Sequence, residues 1–246
     1  MHLLEGEGVS KNFGGLQAVS EVDFHVVEGE ILGLIGPNGA GKTTLFNLIS
    51  AALKPSAGRI RYRGHDITGL PPHKICRLGV ARTFQTVKVF GDSTVLKNVM
   101  VGSLFGTGKK RVKAAHAERQ AEEALELVGM LGLRDTMAGD LTLAQQKRLE
   151  LARALATGPD LLLLDELMAG LTATEVADAM EDIVRLRSNG ITVIMIEHVM
   201  QAMMSISDRI IVLDHGRKIA EGTPTEVAAN PQVIEVYLGE ECDVGD

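Results

Sequence analysis

The segment Gly36-Pro37-Asn38-Gly39-Ala40-Gly41-Lys42-Thr43 has the residue types that hold phosphate groups and fits the pattern G-x-x-x-x-G-K-[ST] in full. Its glycines let backbone N–H groups converge on phosphate oxygens, and the helix that follows adds favourable potential at its first turn. Lys42 supplies a mobile positive charge for the β and γ phosphates. Thr43 offers a hydroxyl to Mg²⁺, and Thr44 is placed to help hold the phosphates. A structural glycine turn is the alternative, but it requires neither the lysine nor the threonine.

A pair of carboxylates follows an apolar run at Leu161-Leu162-Leu163-Leu164-Asp165-Glu166. Apolar strands often end in acids by chance, so this pair alone would carry little weight. Beside a phosphate loop in a parallel sheet its position matters, because the active sites of such sheets lie at the carboxyl ends of the strands. We expect Asp165 near the magnesium site and Glu166 facing the water that would attack the γ-phosphate.

A third apolar run, Ile191–Ile196, ends in Glu197-His198. A lone histidine after a strand is more often a helix cap or a satisfied surface group than a catalytic residue. Because this strand end should open on the same crevice, His198 could contact the γ-phosphate and sense its presence.

The elements that must position these residues alternate between short β-branched runs and longer helical patterns, which is typical of a parallel sheet flanked by helices. Buried strands are predicted at Ile31–Ile35, Leu161–Leu164 and Val193–Ile196, and helices at Lys42–Ala51 and Thr174–Leu186, the latter ending at Asn189-Gly190.

Two other regions have different patterns. Val22–Val27 and Arg59–Arg63 alternate and end in turn residues, which predicts antiparallel strands of a side sheet. From about Thr86 to Leu151 helical periodicity takes over, most clearly in Ala114–Val128, and indicates a helical lobe inserted into the α/β core. Within it the basic run Lys109–Lys113 is interpreted as a solvated loop or helix end.

Length and composition limit the possible functions. The 246 residues, at roughly 150 per domain, indicate one large domain or one domain with an inserted lobe. Basic residues number 25 against 32 acidic ones, a net charge of −7, which argues against nucleic acid as the main partner. The two cysteines are too few for a disulfide framework, and a reducing compartment is expected. The start MHLLEGEG lacks the basic residues of a signal peptide, and no apolar run approaches the roughly 20 residues of a membrane span.

Taken in order, these motifs and several others resemble those of the nucleotide-binding subunits of ABC transporters, over essentially the whole chain. Gln85, in Val80-Ala81-Arg82-Thr83-Phe84-Gln85, is similar to the glutamine of the family's Q-loop. Leu141-Thr142-Leu143-Ala144-Gln145 falls where the signature L-S-G-G-Q should be, Ala169-Gly170-Leu171-Thr172 looks like the D-loop, and Phe13 resembles the aromatic residue that stacks on adenine.

The resemblance implies a fold and a set of roles. The fold would be α/β, a P-loop NTPase (RecA-like) core at residues 1–85 and 152–246, with a small antiparallel β subdomain and an inserted α-helical subdomain at residues 86–151. Gln85 would contact Mg²⁺ and the attacking water, His198 would act as the switch histidine, and Glu166 would be the catalytic carboxylate. Thr142, Ala144 and Gln145 would act on ATP bound to a partner chain.

Four short segments resemble the corresponding segments of one subfamily, the ATP-binding subunits of branched-chain amino-acid importers. The segments that carry this likeness are Val80–Gln85, Asp92–Val99, Gln145–Glu150 and Asn230–Gly239. Close relatives serve other solutes, including urea and lipopolysaccharide. The chain departs from the family at Leu143 and Ala144, which replace two glycines, and at Leu167, which replaces a common proline. The subfamily tolerates a large residue at the first of these positions, whereas the methyl group of Ala144 narrows the approach of backbone to a phosphate.

The implied protein is an ATPase on the cytoplasmic face of the inner membrane that binds ATP and Mg²⁺. Its partners would be a second ATPase subunit, identical or paralogous, the transmembrane permease subunits and, indirectly, an extracytoplasmic solute-binding protein, with no nucleic acid. Two alternatives remain. A soluble ABC-type ATPase acting on ribosomes or DNA usually carries two cassettes or a long coiled coil, and this sequence shows neither. A small-molecule kinase with a phosphate loop needs an acceptor-substrate site and lid arginines, whereas this sequence has a signature-like loop in that stretch.

Overall fold

The computed structural model describes residues 2–106 and 113–242, so Lys109–Val112 of the basic run lie outside the described residues. The strands are β1 (His2–Phe13), β2 (Leu16–Val27), β3 (Ile31–Ile35), β4 (Ala57–Tyr62), β5 (His65–Asp66), β6 (Val80–Arg82), β7 (Leu161–Asp165), β8 (Thr192–Ile196), β9 (Arg209–Asp214) and β10 (Arg217–Gly222). The helices are α1 (Lys42–Ile49), α2 (Pro72–Leu78), α3 (Val95–Phe105), α4 (Ala114–Leu127), α5 (Leu143–Leu155), α6 (Ala173–Ser188), α7 (Met200–Ile206), α8 (Pro224–Ala228) and α9 (Pro231–Cys242). No described helix is both long and apolar enough to cross a membrane.

The chain forms two units, Met1–Pro72 with Ile194–Asp246, and His73–Val193. The predicted helical insertion at residues 86–151 lies inside the second unit. Its boundaries, and those of the core around it, remain predictions.

In the first unit an antiparallel sheet with the order β2-β1-β4-β5 confirms the predicted side sheet. The strand predicted at Arg59–Arg63 ends one residue earlier, because Arg63 has a φ of 49° and turns the chain out of the sheet. Strand β1 pairs with both β2 and β4, although no strand is predicted there. Arg209 joins β9 to this sheet, since its guanidinium donates to the carbonyl of His25 at 2.6 Å.

The same unit contains the strand and helix that frame the phosphate loop. All five residues of β3 are buried, as predicted, and β3 pairs in parallel with β9, which in turn pairs antiparallel with β10. Helix α1 buries Phe46 completely and ends at Ile49, two residues before the predicted end. The reason is local: Ala51 adopts a left-handed φ of 57°, which cannot continue the helix.

The second unit combines a parallel pair, β6 and β7, with the predicted helices. Helix α4 buries Ala117, Ala121, Ala124 and Leu125, which confirms the helical spacing predicted for Ala114–Val128. Helices α3 and α5 pack so closely at Gly102 of α3 that a Cβ there would lie 2.2 Å from the carbonyl oxygen of Arg153. Helix α6 spans the predicted segment and ends before Gly190, which has a φ of 84°.

A buried asparagine fastens the loop that precedes α3. Asn98 is fully buried; its Oδ1 accepts from the N–H of Phe90 at 2.8 Å, and its Nδ2 donates to the carbonyls of Phe90 and Thr94 at 3.1 and 2.9 Å. The side chain therefore forms hydrogen bonds with three backbone groups of the loop.

We predict that Asn98→Ala lowers the free energy of unfolding by about 2 kcal/mol, because the loop loses three hydrogen bonds to a fully buried side chain. Urea denaturation measures this loss. Lys97→Ala, an exposed change on the same helix, is the control and should shift stability by less than about 0.5 kcal/mol. Equal effects of the two changes would contradict the role given to Asn98.

Candidate functional site

The loop between β3 and α1 has a backbone that only glycine permits at two points. Gly36 has a φ of 148°, and a Cβ there would lie 2.0 Å from the carbonyl oxygen of Leu213. Gly41 has a φ of 99°, and its Cβ would lie 2.5 Å from the carbonyl oxygen of Ala18. The two glycines of the sequence pattern therefore let the loop pack against its own unit while it turns into α1.

Lys42 is the first residue of α1, and its side chain folds back over the loop. Its Nζ donates to the carbonyls of Gly36 and Pro37, at 2.5 and 2.8 Å, and the residue is buried. Of the neighbouring predicted residues, Asn38, Gly39 and Thr43 are exposed, Ala40 is buried and Thr44 is half-buried. The ammonium is thus held against the loop by carbonyl oxygens, which can be exchanged for other oxygen acceptors.

Two other predicted residues belong to the same unit. Phe13 ends β1 with 46% of its surface exposed, and the ammonium of Lys11 lies 5.2 Å from the centre of its ring. His198 is the second residue after β8 and is exposed, whereas Glu197 between them is buried.

In the second unit the carboxylate pair stands at the end of a fully buried strand. Asp165, the last residue of β7, is 3% exposed, and its Oδ2 accepts from Nη2 of Arg82 at 2.7 Å. Its backbone N–H donates to the hydroxyl of Thr83 at 3.3 Å. Sequence reasoning names Asp165 but neither of these two partners.

Glu166 leaves the strand with a left-handed φ of 52° and is half-buried. Its Oε2 accepts from Nε2 of Gln85 at 2.8 Å, so the structure brings together two of the predicted site residues. The backbone after the strand is held by Lys147 of α5, whose buried ammonium donates to the carbonyls of Glu166 and Leu167 at 3.0 and 2.9 Å. A charged donor buried against an irregular backbone has no short-range sequence signal, and Lys147 is absent from the predicted site.

The three predicted signature residues lie at the start of α5. The hydroxyl of Thr142 accepts from the N–H of Gln145 at 3.3 Å, and Oε1 of Gln145 accepts from the N–H of Thr142 at 3.0 Å. This reciprocal arrangement is a capping box, which the spacing of threonine and glutamine could have predicted. Ala144 is half-buried, and Leu143 before it is 48% exposed.

A cavity of about 240 Å³ adjoins this helix start, between α5 and α6. Arg148 forms ion pairs across it with Asp178 at 3.4 Å and Asp182 at 3.2 Å. Burial raises the pKa of Asp182, and the two neighbouring arginines, Arg148 and Arg185, oppose that shift. At the start of α6, hydrogen bonds from the backbone N–H and hydroxyl of Thr172 lower the pKa of Glu175.

Comparison with protein families gives two matches. Residues 19–169 match the family model described as ABC transporter, and residues 217–243 match the model described as Branched-chain amino acid ATP-binding cassette transporter. Together they cover the phosphate loop, the carboxylate pair and the C-terminal segment.

Individual relatives extend over nearly the whole chain. The high-affinity branched-chain amino acid transport ATP-binding protein BraF of Pseudomonas aeruginosa is 43% identical, over 97% of this chain and 98% of its own. LivG of Escherichia coli, which carries the same description, is 41% identical over the same shares. Among solved structures, the ADP conformation of an ATP-binding cassette of an ABC transporter superposes with a TM-score of 0.89 at 33% identity, over 97% of this chain and 99% of the other. The predicted fold is thereby confirmed.

We predict that Lys147→Met, a change of similar length, lowers the free energy of unfolding by about 2 kcal/mol, because two carbonyls lose a charged donor. Chemical denaturation measures the loss. Lys97→Met, an exposed lysine of the same unit, provides the control. If both variants unfold at the same denaturant concentration, Lys147 does not stabilise the backbone after β7.

Proposed function

The chain belongs to the ABC transporter family, and from this membership we propose that it is the ATP-hydrolysing subunit of an importer for branched-chain amino acids. One observation carries the proposal: both BraF and LivG, whose names include branched-chain amino acid transport, align over 97% of the chain. The match of residues 217–243 to a model for that transporter class adds a second region, which follows the ATPase motifs in the sequence.

In this proposal the loop from Gly36 to Thr44 holds the phosphates of ATP. The support is the glycine backbone of the loop, with φ values of 148° at Gly36 and 99° at Gly41, and the position of Lys42, whose ammonium donates to the carbonyls of Gly36 and Pro37. A phosphate oxygen carries more charge than a carbonyl and makes a stronger hydrogen bond to an ammonium. ATP would therefore take over this bond at little structural cost. Phe13, half exposed at the end of β1, would stack on the adenine.

Mg²⁺ belongs to the proposed site, and the donor chemistry fits it. The hydroxyl of Thr43, the carboxylate of Asp165 and the amide of Gln85 all offer oxygen atoms, which this cation prefers. Because Gln85 donates through Nε2 to Glu166, its Oε1 is the amide atom left for a cation. When bound, the cation neutralises charge on the β and γ phosphates.

Glu166 would act as the general base toward the attacking water, with Gln85 holding the carboxylate in place. The hydrogen bond of 2.8 Å between them supports this assignment, since it holds the carboxylate through Oε2. His198 would contact the γ-phosphate and report its loss. Its exposed position two residues after β8 is compatible with that role.

The remaining roles involve other chains. Thr142, Ala144 and Gln145 would complete the ATP site of a second subunit, identical or paralogous, in a head-to-tail dimer that ATP closes and hydrolysis relaxes. The dimer would drive transmembrane permease subunits from the cytoplasmic face of the inner membrane, as a peripheral component, and an extracytoplasmic binding protein would deliver the solute.

We predict that Glu166→Gln keeps ATP binding but lowers turnover by a factor of about 100 or more, because an amide orients water yet accepts no proton. Phosphate release and binding of a fluorescent ATP analogue measure the two effects separately. Lys42→Ala is the comparison variant and should lose binding itself, since it removes the ammonium from the phosphate loop. Turnover of Glu166→Gln within a few-fold of the unchanged protein would show that the base lies elsewhere.

The solute is tested by uptake in the source cells. Removal of this chain should abolish ATP-dependent uptake of labelled leucine, isoleucine and valine, and restoring it should recover uptake, whereas a chain with Lys42→Ala should not. Labelled urea is the control solute. Loss of urea uptake with intact leucine uptake would assign the chain to another importer, and no change in either would contradict the transport role.

A further inference from the structure

The second unit contains a buried ion pair between Arg82 and Asp165. The functional roles proposed above assign none to Arg82. The partners of the pair are 83 residues apart, and both are largely buried, with side-chain exposures of 9% and 3%. We propose that Arg82 is the positioning residue that orients the carboxylate of Asp165 for Mg²⁺. The inference rests on the proposed nucleotide site and deepens it.

The backbone around this pair is fixed on both sides. Strands β6 and β7 pair in parallel, with Arg82 opposite Leu163, and the N–H of Thr83 continues the pairing to the carbonyl of Leu163 at 3.0 Å. The hydroxyl of Thr83 then receives the N–H of Asp165. Two adjacent residues, Arg82 and Thr83, therefore hold the side chain and the backbone of the same aspartate.

The guanidinium is itself held in place. Its central carbon lies 5.4 Å from the centre of the Phe84 ring, within the range of a cation–π contact. A guanidinium packed in this way resists rotation, so the hydrogen bond of 2.7 Å to Oδ2 fixes the plane of the carboxylate.

The consequence for a cation follows from the geometry of a carboxylate. With Oδ2 engaged by Arg82, Oδ1 is the oxygen that Asp165 presents to Mg²⁺, directly or through a water molecule. Groups that hydrogen-bond a metal-binding carboxylate set its orientation, and their loss typically weakens metal affinity by a factor of 10 to 100. The competing idea is that Arg82 occupies an oxygen the cation needs, in which case its removal would strengthen binding of Mg²⁺.

The test compares the affinity for a fluorescent, non-hydrolysable ATP analogue with Mg²⁺ and with EDTA. The ratio of the two dissociation constants measures how much the cation contributes to nucleotide binding, without any turnover. We expect Arg82→Ala to reduce that ratio at least about tenfold while the affinity in EDTA stays unchanged. Arg82→Lys, which keeps a cationic donor, should recover part of the ratio, and Arg77→Ala, an exposed arginine of the same unit, should leave it intact.

A double-mutant cycle with Asp165→Asn decides whether Arg82 acts through Asp165. If it does, adding Arg82→Ala to Asp165→Asn changes the ratio little further. An unchanged or increased ratio in both Arg82→Ala and Arg82→Lys overturns the inference, and so does full additivity in the cycle. Thermal melting shows whether Arg82→Ala folds. If it does not, the ratio measured for Arg82→Lys decides the question. If the unchanged protein gains no affinity from Mg²⁺, the proposed nucleotide site fails instead.

Discussion

A strand that is buried along its whole length has no place for charge until it ends, and this constraint decides where polar chemistry occurs in both units. All five residues of β3 and all five of β7 are buried. Burying an unpaired polar group costs several kcal/mol, so β3 has no polar side chain and β7 has none before its last residue, Asp165. The phosphate loop begins one residue after β3, and the carboxylate pair begins with the last residue of β7. In each unit, the position of the candidate polar residues along the chain therefore follows from the composition of the strand before them.

The same constraint explains why the charges at the strand ends have partners. Asp165 is nearly as buried as the leucines before it, and a carboxylate in that position needs an opposite charge or several donors. Arg82 supplies the opposite charge from the neighbouring strand, and the hydroxyl of Thr83 accepts the backbone N–H of the same aspartate. Lys147 is buried as well, and its ammonium donates hydrogen bonds to two carbonyls of the irregular backbone after β7. These contacts connect α5, which carries the signature segment, to the residue proposed as the catalytic base.

The parts of this arrangement that depend on short-range pattern could be predicted from the sequence. Apolar runs give β3, β7 and β8, and the period of α4 gives its buried face. Strand β1 is not predicted, because glycines and glutamates interrupt the alternation of apolar and polar residues. Its pairing with β2 also shifts register between Gly6 and Val9. Strand β9 is also absent from the predictions, although Ile210–Leu213 is an apolar run. The contact of Arg82 with Asp165 depends on which strands pair, and no local pattern contains that information.

The cap at the start of α5 shows how one local interaction can serve both folding and the proposed dimer. A hydroxyl has one donor and two acceptor sites, and the cap uses an acceptor site of Thr142 for the N–H of Gln145. The cap uses the carbonyl oxygen of the Gln145 side chain in the same way, so its NH₂ group keeps its two donors. The hydroxyl of Thr142 and the NH₂ group of Gln145 therefore keep their hydrogen-bond donors for another molecule. They lie at a helix start, where the electrostatic potential is positive. A phosphate accepts hydrogen bonds and carries negative charge, so the contacts that begin this helix suit the role proposed for it, at the ATP of a second subunit.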